Sequence, residues 1–226
     1  MPRFQQGSRA HIRRARPWQQ YAYHIEVLPA RLEALVRSLS LGPAPRVLDY
    51  GCADVPYRGF FPAGADYVAA DLPGNPHATL ALEADGRVPA PDASFDAVMS
   101  TQVLEHVEDP ALHLAEACRV LRPGGSLVLS THGIFPYHPD PDDYWRWTRA
   151  GLERAVAAAG LEVVRVENVI GLLPTGLQLI EYALYWRIPS FLRAPFALVM
   201  EGLIRLTDRL RDEYDAQVFA LVARRP

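Results

Sequence analysis

The chain has 226 residues, half of them hydrophobic, and a formal net charge of -3, which suits one sizeable globular core and gives no global drive toward nucleic acid. All 23 basic residues are arginine, so chemistry that needs a lysine Schiff base or a phosphate-loop ammonium is excluded. The two cysteines, Cys52 and Cys118, are too few for a disulfide framework or a cysteine zinc site and suit a reducing cytoplasm.

The opening stretch, MPRFQQGSRAHIRRARPW, carries five arginines and no acid. It lacks the apolar run of a signal peptide, so a flexible solvated end and a cytoplasmic location are expected. Leu28, Leu32, Leu35, Val36 and Leu39 fall on one helical face and predict an amphipathic helix, a lid or a packing element, ended by LGPAP. Residues 1–45 therefore read as an arm and helix ahead of a domain covering 46–226.

RVLDY predicts a buried strand running into a glycine turn and then a helix start, and ADYVAADL a second strand ending at Asp71. ATLALEADG and SFDAVMS supply the third and fourth. Asp109 and Pro110 then start a helix by capping, with Leu114, Ala117, Cys118 and Leu121 on its inner face. RPGG stops it before the strand SLVLST, Thr148 caps the next helix, and LEVVRVENV and AQVFALVAR are the last strands. The alternation predicts an α/β fold, a Rossmann-like doubly wound sheet of seven strands, mostly parallel with a late antiparallel strand.

A helical insertion at about 171–212 interrupts this rhythm, with an apolar stripe of Phe196, Val199, Met200, Leu203, Leu206 and Leu210. Charges break every apolar run before the roughly 20 residues that a transmembrane helix needs. Core packing of the stripe is expected first; a lid, a homodimer face and an in-plane membrane contact are the alternatives.

Acids at strand ends, Asp49, Asp71 and Asp85, lie where open parallel sheets bind ligands. Asp71 falls about 20 residues after the turn, the place of a ribose-binding acid. The turn itself, Gly51, Cys52, Ala53, Asp54, Val55, lacks the three glycines of a dinucleotide site, and Asp54 would repel a diphosphate. Adenosine carrying a compact cationic group fits better.

At these residues the chain resembles the class I S-adenosylmethionine-dependent methyltransferases, in particular members from bacterial glycan or natural-product pathways. VLDYGC looks like their first motif, AADL their ribose-binding segment, EADG their adenine-contacting loop, and the run from FDAVMSTQVLEHV to RPGGSLVLST their fourth and fifth strands. The resemblance implies S-adenosylmethionine as cofactor, S-adenosylhomocysteine as product, and cofactor contacts from Asp49, Gly51, Cys52, Ala53, Asp71, Leu72, Asp85, Gly86 and Gln102. Ala53 and Val55 stand where many members carry glycine, and a branched Val55 is expected to resist a positive φ.

Methyl transfer to a hydroxyl needs alignment and a base. His106, His132 and His138 follow strands four and five, with Asp143 placed to orient one of them. Tyr144, Trp145 and Arg146 are expected at the acceptor, so a sugar or another small hydroxylated metabolite is the first acceptor class. No nucleic acid partner and no metal requirement are expected, although His138, Asp140, Asp142 and Asp143 make an oxygen-rich alternative site for a divalent ion. A catalytically degenerate module acting through partner binding is the second reading, and a nicotinamide-dependent oxidoreductase the third.

Overall fold

The computed structural model describes residues 16–139, 142–210 and 214–226. The arginine-rich arm up to residue 15 and Asp140 lie outside these. Helix α1 (Ala22–Arg37) is followed by strand β1 (Arg46–Tyr50), a single 3-10 turn at Arg58–Phe60, β2 (Asp66–Asp71) and the two-residue β3 (Leu80–Ala81). Then come β4 (Phe95–Thr101), α2 (Pro110–Val120), β5 (Leu121–His132), α3 (Arg149–Ala158) and β6 (Glu162–Asn168). A helical hairpin, α4 (Leu172–Tyr185) and α5 (Ser190–Thr207), precedes β7 (Val218–Arg224).

The strands form one sheet in the order β3-β2-β1-β4-β5-β7-β6. Strands β1 to β5 are parallel, whereas β7 runs antiparallel to both β5 and β6. Strand order reverses at β1 and β4, so the crevice beyond their carboxyl ends is the expected ligand position. Both sheet faces are covered. Leu114, Ala117 and Val120 of α2 and Leu152 and Val156 of α3 pack against Leu48, Val98, Leu127 and Leu129 on one face. On the other, Leu28, Leu32, Leu35 and Val36 of α1 meet Val47, Met99, Val128 and Val222. The sequence-predicted helix over Leu28 to Val36 is therefore a packed element.

The caps read from the sequence form. Asp109 Oδ1 accepts from the amides of Ala111 and Leu112, each at 3.0 Å, and Thr148 Oγ1 from Gly151 at 3.1 Å. Leu121, however, begins β5 and does not extend α2.

Two expectations are corrected. The segment after β1 reads as a helix start, yet it holds only the 3-10 turn Arg58–Phe60. Ala53 and Val55 take left-handed backbone, φ 48° and 57°, and Pro56 disfavours helical geometry at the residue before it. Val55 thus accepts the positive φ that its branching opposes, a strain of about 1–3 kcal/mol. The second correction concerns the stripe of α5. Met200 is buried with Ala197, Glu201 and Ile204, but Val199, Leu203, Leu206 and Leu210 are exposed.

Helix α1 lacks a local cap, since Tyr21 sits at φ 65° with no side-chain capping bond. Ala22 donates to the Gln19 carbonyl at 3.1 Å, and a residue far along the chain adds a cap: Glu201 accepts from Ala22 at 3.0 Å and from Tyr23 at 2.7 Å. The Tyr23 hydroxyl donates to Asp208 at 2.7 Å, and Arg205 pairs with Glu26 at 2.6 Å. These bonds tie α1 to α5 across the α1-facing side of the sheet.

Candidate active site

The turn after β1 is built on backbone hydrogen bonds to β2. The amides of Gly51 and Cys52 both donate to the Ala70 carbonyl, at 2.9 and 3.0 Å. Gly51, at φ 88°, could carry no side chain: a Cβ there would lie 2.4 Å from a methyl group of Val103. Asp71 closes the turn from β2. Its Oδ2 accepts from the Ala53 amide at 3.0 Å and from Asn75 Nδ2 at 2.7 Å, while Oδ1 accepts from the Leu72 amide at 2.8 Å. Leu72 itself is half exposed at the rim.

Asp49 lies below this turn and is buried, its Oδ2 accepting from the Tyr67 hydroxyl at 2.6 Å. Burial raises its pKa to about 7, opposed by the Tyr67 hydrogen bond and reinforced by nearby Asp71. Cys52 is buried beside it, and burial followed by the charges of Asp49 and Asp71 pushes its thiol up to about 12. That thiol is inert. Gln102, at φ 55° just past β4, donates from Nε2 to Ser130 at 3.1 Å.

The loop with Asp85 and Gly86 is held from beneath. The Tyr50 hydroxyl donates to the Gly86 carbonyl at 2.5 Å, and the Tyr50 ring stacks on His113 at 3.9 Å. Glu116 accepts from the Val88 amide at 3.1 Å and pairs with Arg119 at 2.8 Å. Asp85, by contrast, is exposed and engages only Arg87.

The second half of the site lies past β4 and β5. His106, His132 and His138 converge: His138 stands 4.9 Å from His106 and 4.8 Å from His132 between ring centroids. His132 stacks on Phe135 at 3.8 Å, with Tyr21 of the α1 entry 5.8 Å from Phe135. Glu105 is fully buried, accepts from Thr131 Oγ1 at 2.8 Å and lies 3.2 Å from His132 Nε2. Burial raises Glu105 to about 7 and drives His132 well below its usual value, so a neutral imidazole stands beside a carboxyl that keeps its proton up to about neutral pH.

Asp143 organises the segment after β5. Arg146 grips both its oxygens at 2.6 Å, and the His138 amide donates to Oδ2 at 2.9 Å. The remaining Arg146 N–H groups go to the carbonyls of Phe135, Pro136 and Trp145. Burial pulls Asp143 upward, but Arg146 and the His138 amide outweigh it and hold the carboxyl below its ordinary range. Arg146 was expected at the acceptor; with its five N–H donors engaged in the loop it is a brace. Tyr144 and Trp145 remain substantially exposed at the rim, Trp145 Nε1 donating to the Val107 carbonyl at 2.8 Å.

The tautomer of His138 follows from its neighbours. Its Nδ1 faces two acceptors, Asp143 Oδ2 at 3.2 Å and the Pro136 carbonyl at 3.3 Å, so Nδ1 carries the proton and Nε2 the lone pair. Burial lowers its pKa despite Asp143, which keeps the ring neutral. His106 Nδ1 likewise faces a carbonyl, that of Asp142.

Against this geometry the comparisons with known proteins are specific. A family model described as a methyltransferase domain matches residues 48–129. The ubiquinone biosynthesis O-methyltransferase of Xanthomonas oryzae pv. oryzae is 32% identical over 163 residues, 66% of this chain and 59% of that protein. Over the matched residues the chain carries a methyltransferase domain similar to those of the class I S-adenosylmethionine-dependent enzymes. It spans 59% of the length of that curated relative. Among solved structures, the Burkholderia thailandensis 1,6-didemethyltoxoflavin-N1-methyltransferase, with bound 1,6-didemethyltoxoflavin and S-adenosylhomocysteine, gives a TM-score of 0.57 at 17% identity over 90% of this chain and 80% of that one. The [4+2]-cyclase SpnF gives 0.55 at 20% identity, covering 87% and 80%. Likeness at such identity bears on the fold alone.

The first half of the site fits a cationic adenosyl group. Asp54 Oδ1 is buried in the turn without a donor among the described residues, an acceptor that an ammonium would satisfy. A dinucleotide is not matched by the family or by the turn, so the oxidoreductase alternative falls away. Two groups among the described residues have metal-ligand spacing: Glu105, His132 and His138, and His106, His138 and Asp143. The second competes with the Arg146 grip on Asp143.

Sequence reasoning passed over Glu105, which was readable as a carboxylate inside the apolar run VLEHV, and Phe135, Asn75 and Tyr50, which carried no local signal. A concavity of about 840 Å³ beside Gly42, Pro43, Asp96, Arg122 and Gly124 lies at the other end of the sheet. That end presents the amino termini of β1 and β4, where open α/β sheets do not bind ligands.

Proposed function

We propose that the protein transfers a methyl group from S-adenosylmethionine to a hydroxyl of a small acceptor. The observation that carries this reading is that the glycine turn after β1 and a neutral His138 after β5, its proton on Nδ1, lie beyond the carboxyl ends of the neighbouring parallel strands β1, β4 and β5. Gly51 and Asp54 would hold the methionine end, Asp71 the ribose, Asp85 and Gly86 the adenine, and Gln102 the floor. When bound, the cofactor supplies an activated methyl group. His138 Nε2 accepts the acceptor's hydroxyl proton, and Asp143 keeps the ring in register. His132, buried on Glu105, shapes the wall with Phe135, and His106 lines the other side.

For the acceptor, two readings have support. The aromatic wall of His132, Phe135 and Tyr21 suits a flat phenolic ring, and the curated relative is a ubiquinone biosynthesis O-methyltransferase. The exposed Tyr144 and Trp145 suit a sugar face, but Arg146, engaged in the loop, does not contribute hydroxyl contacts. A phenol is therefore placed ahead of the sugar.

Calorimetric titration with S-adenosylmethionine and S-adenosylhomocysteine tests the first half, with NAD as control. Methyl transfer to catechols and to sugars, followed by mass of the product, tests the second. Absence of binding by either adenosyl compound would overturn the proposal in favour of a degenerate module, and transfer to amines alone would overturn the hydroxyl assignment.

A further inference from the structure

The α4–α5 hairpin is inverted relative to an ordinary surface hairpin. Its inward residues include an unusual number of polar ones, Thr175, Gln178 and Glu181 from α4, Glu201 from α5 and Asp208 just beyond it, beside the apolar Pro174, Ala197, Met200 and Ile204. Its outward residues are apolar, among them Ile180, Trp186, Phe191, Val199, Leu206 and Leu210, with Phe191 77% exposed. Such a contiguous apolar face marks an interaction surface.

The charges select the occupant. Residues 172–210 contain three acids, Glu181, Glu201 and Asp208, and all three are buried. Arg187 and Arg209 are exposed, and Arg193 lies over the Trp186 ring at 4.8 Å. Among the described residues of this hairpin the outward face thus has arginines and no carboxylate. A two-fold contact with a second copy would set arginines against arginines with no acid to pair them. An anionic lipid surface satisfies both features, taking the apolar side chains below the headgroups and the guanidinium groups at them. Among the described residues no helix is long and apolar enough to cross a membrane.

We propose that the α4–α5 hairpin docks the protein in the plane of an anionic bilayer. Glu201 caps α1 from the hairpin's inner side, and Tyr21, at the α1 entry, lies 6.2 Å from Tyr182 of α4 and 5.8 Å from Phe135. The docked face and the acceptor mouth are thereby on joined elements, so the site would meet acceptors that partition into lipid. The docking itself does not depend on methyl transfer.

The test is flotation of the full chain with vesicles of phosphatidylcholine, with and without phosphatidylglycerol. The protein is expected to float with the anionic vesicles and to be released by salt. The double variant Arg187→Gln/Arg209→Gln should weaken binding roughly fivefold per arginine, and Phe191→Asp/Leu206→Asp should abolish it while leaving the melting temperature unchanged. All four positions are exposed, so loss of fold is not expected. No flotation with either vesicle would overturn the proposal, as would equal flotation of the aspartate variant. A stable dimer that the aspartate variant dissociates, without vesicle binding, would assign the face to a second copy.

Discussion

Asp143→Asn is the substitution that separates a braced loop from a merely crowded one. It leaves the size of the side chain unchanged but removes the charge that Arg146 grips at 2.6 Å through both oxygens, and it sets an amide N–H against either the guanidinium or the His138 amide. The Asp143 side chain is fully buried and that of Arg146 is 29% exposed. Removing one partner of a buried pair costs roughly 3–5 kcal/mol, and the partial exposure of Arg146 places this case at about 3 kcal/mol. In a domain of this size that lowers the melting temperature by about 6–12 °C. Because Asp143 also faces His138 Nδ1 at 3.2 Å, turnover should fall by up to about 10²-fold through misorientation, with the affinity for S-adenosylmethionine unchanged. Calorimetry for stability and a methyl-transfer assay for turnover are the measurements. An unchanged melting temperature would refute the brace; a stability loss with undiminished turnover would refute the link from Asp143 to His138.

His138→Gln should reduce turnover by about 10²–10⁴-fold, the usual contribution of a positioned base, while calorimetric cofactor affinity stays constant; unaltered turnover would shift the role to His106 or His132. Ala53→Gly removes a left-handed alanine at φ 48° and should raise stability by about 0.5–1 kcal/mol in denaturant unfolding; destabilisation would contradict the strain. Stability should fall as pH rises from about 6.5 to 8. Burial raises Asp49 and Glu105 to about 7 and Glu181 to about 8, so the folded state retains protons that the unfolded chain has released. The buried imidazoles His24, His113 and His132, all lowered by burial, cause the opposite loss as pH drops below about 6.5. Glu181→Gln should flatten the decline between pH 7 and 8, and an unchanged slope there would discount that carboxyl.

Local signals in the sequence located the strands well, because each buried strand is a short apolar run, and helices α2 and α3 carry their own caps, Asp109 and Thr148. The same signals failed after β1. Nothing local says that Ala53 and Val55 will adopt left-handed backbone, since that conformation is imposed by the amides of Gly51 and Cys52 bonding to Ala70 and by the Asp71 carboxylate pulling on Ala53. The histidines of the site were legible by type and position, but their functional ranking was not. It depends on which atoms face Asp143, Glu105 and the Pro136 carbonyl, contacts closed only when the loop after β5 folds back over β4. Arg146 illustrates the limit: an arginine among aromatics looks the same in sequence whether it meets a substrate or five groups of its own loop.

The inverted polarity of the hairpin has a cause inside the fold. Helix α1 begins at a left-handed Tyr21 with no side-chain capping bond of its own, and the Ala22 amide has the Gln19 carbonyl as its local acceptor, so a further acceptor from elsewhere completes the helix start. Glu201 supplies it and must point inward to do so. On a helix, residues three and four apart share a face, so fixing Glu201 inward brings Ala197 and Ile204 in with it and turns Val199 and Leu206 outward. Burial raises the Glu201 carboxyl against the lowering by the two amides, and burial followed by the Glu201 charge raises neighbouring Glu181 to about 8, so the hairpin's inner side favours the protonated form of Glu181 beside the acid that serves the helix end. A surface hairpin stabilised only by its own apolar contacts would bury the opposite stripe. The orientation that caps α1 over the acceptor mouth is thus the one that leaves an apolar, arginine-bearing face outside.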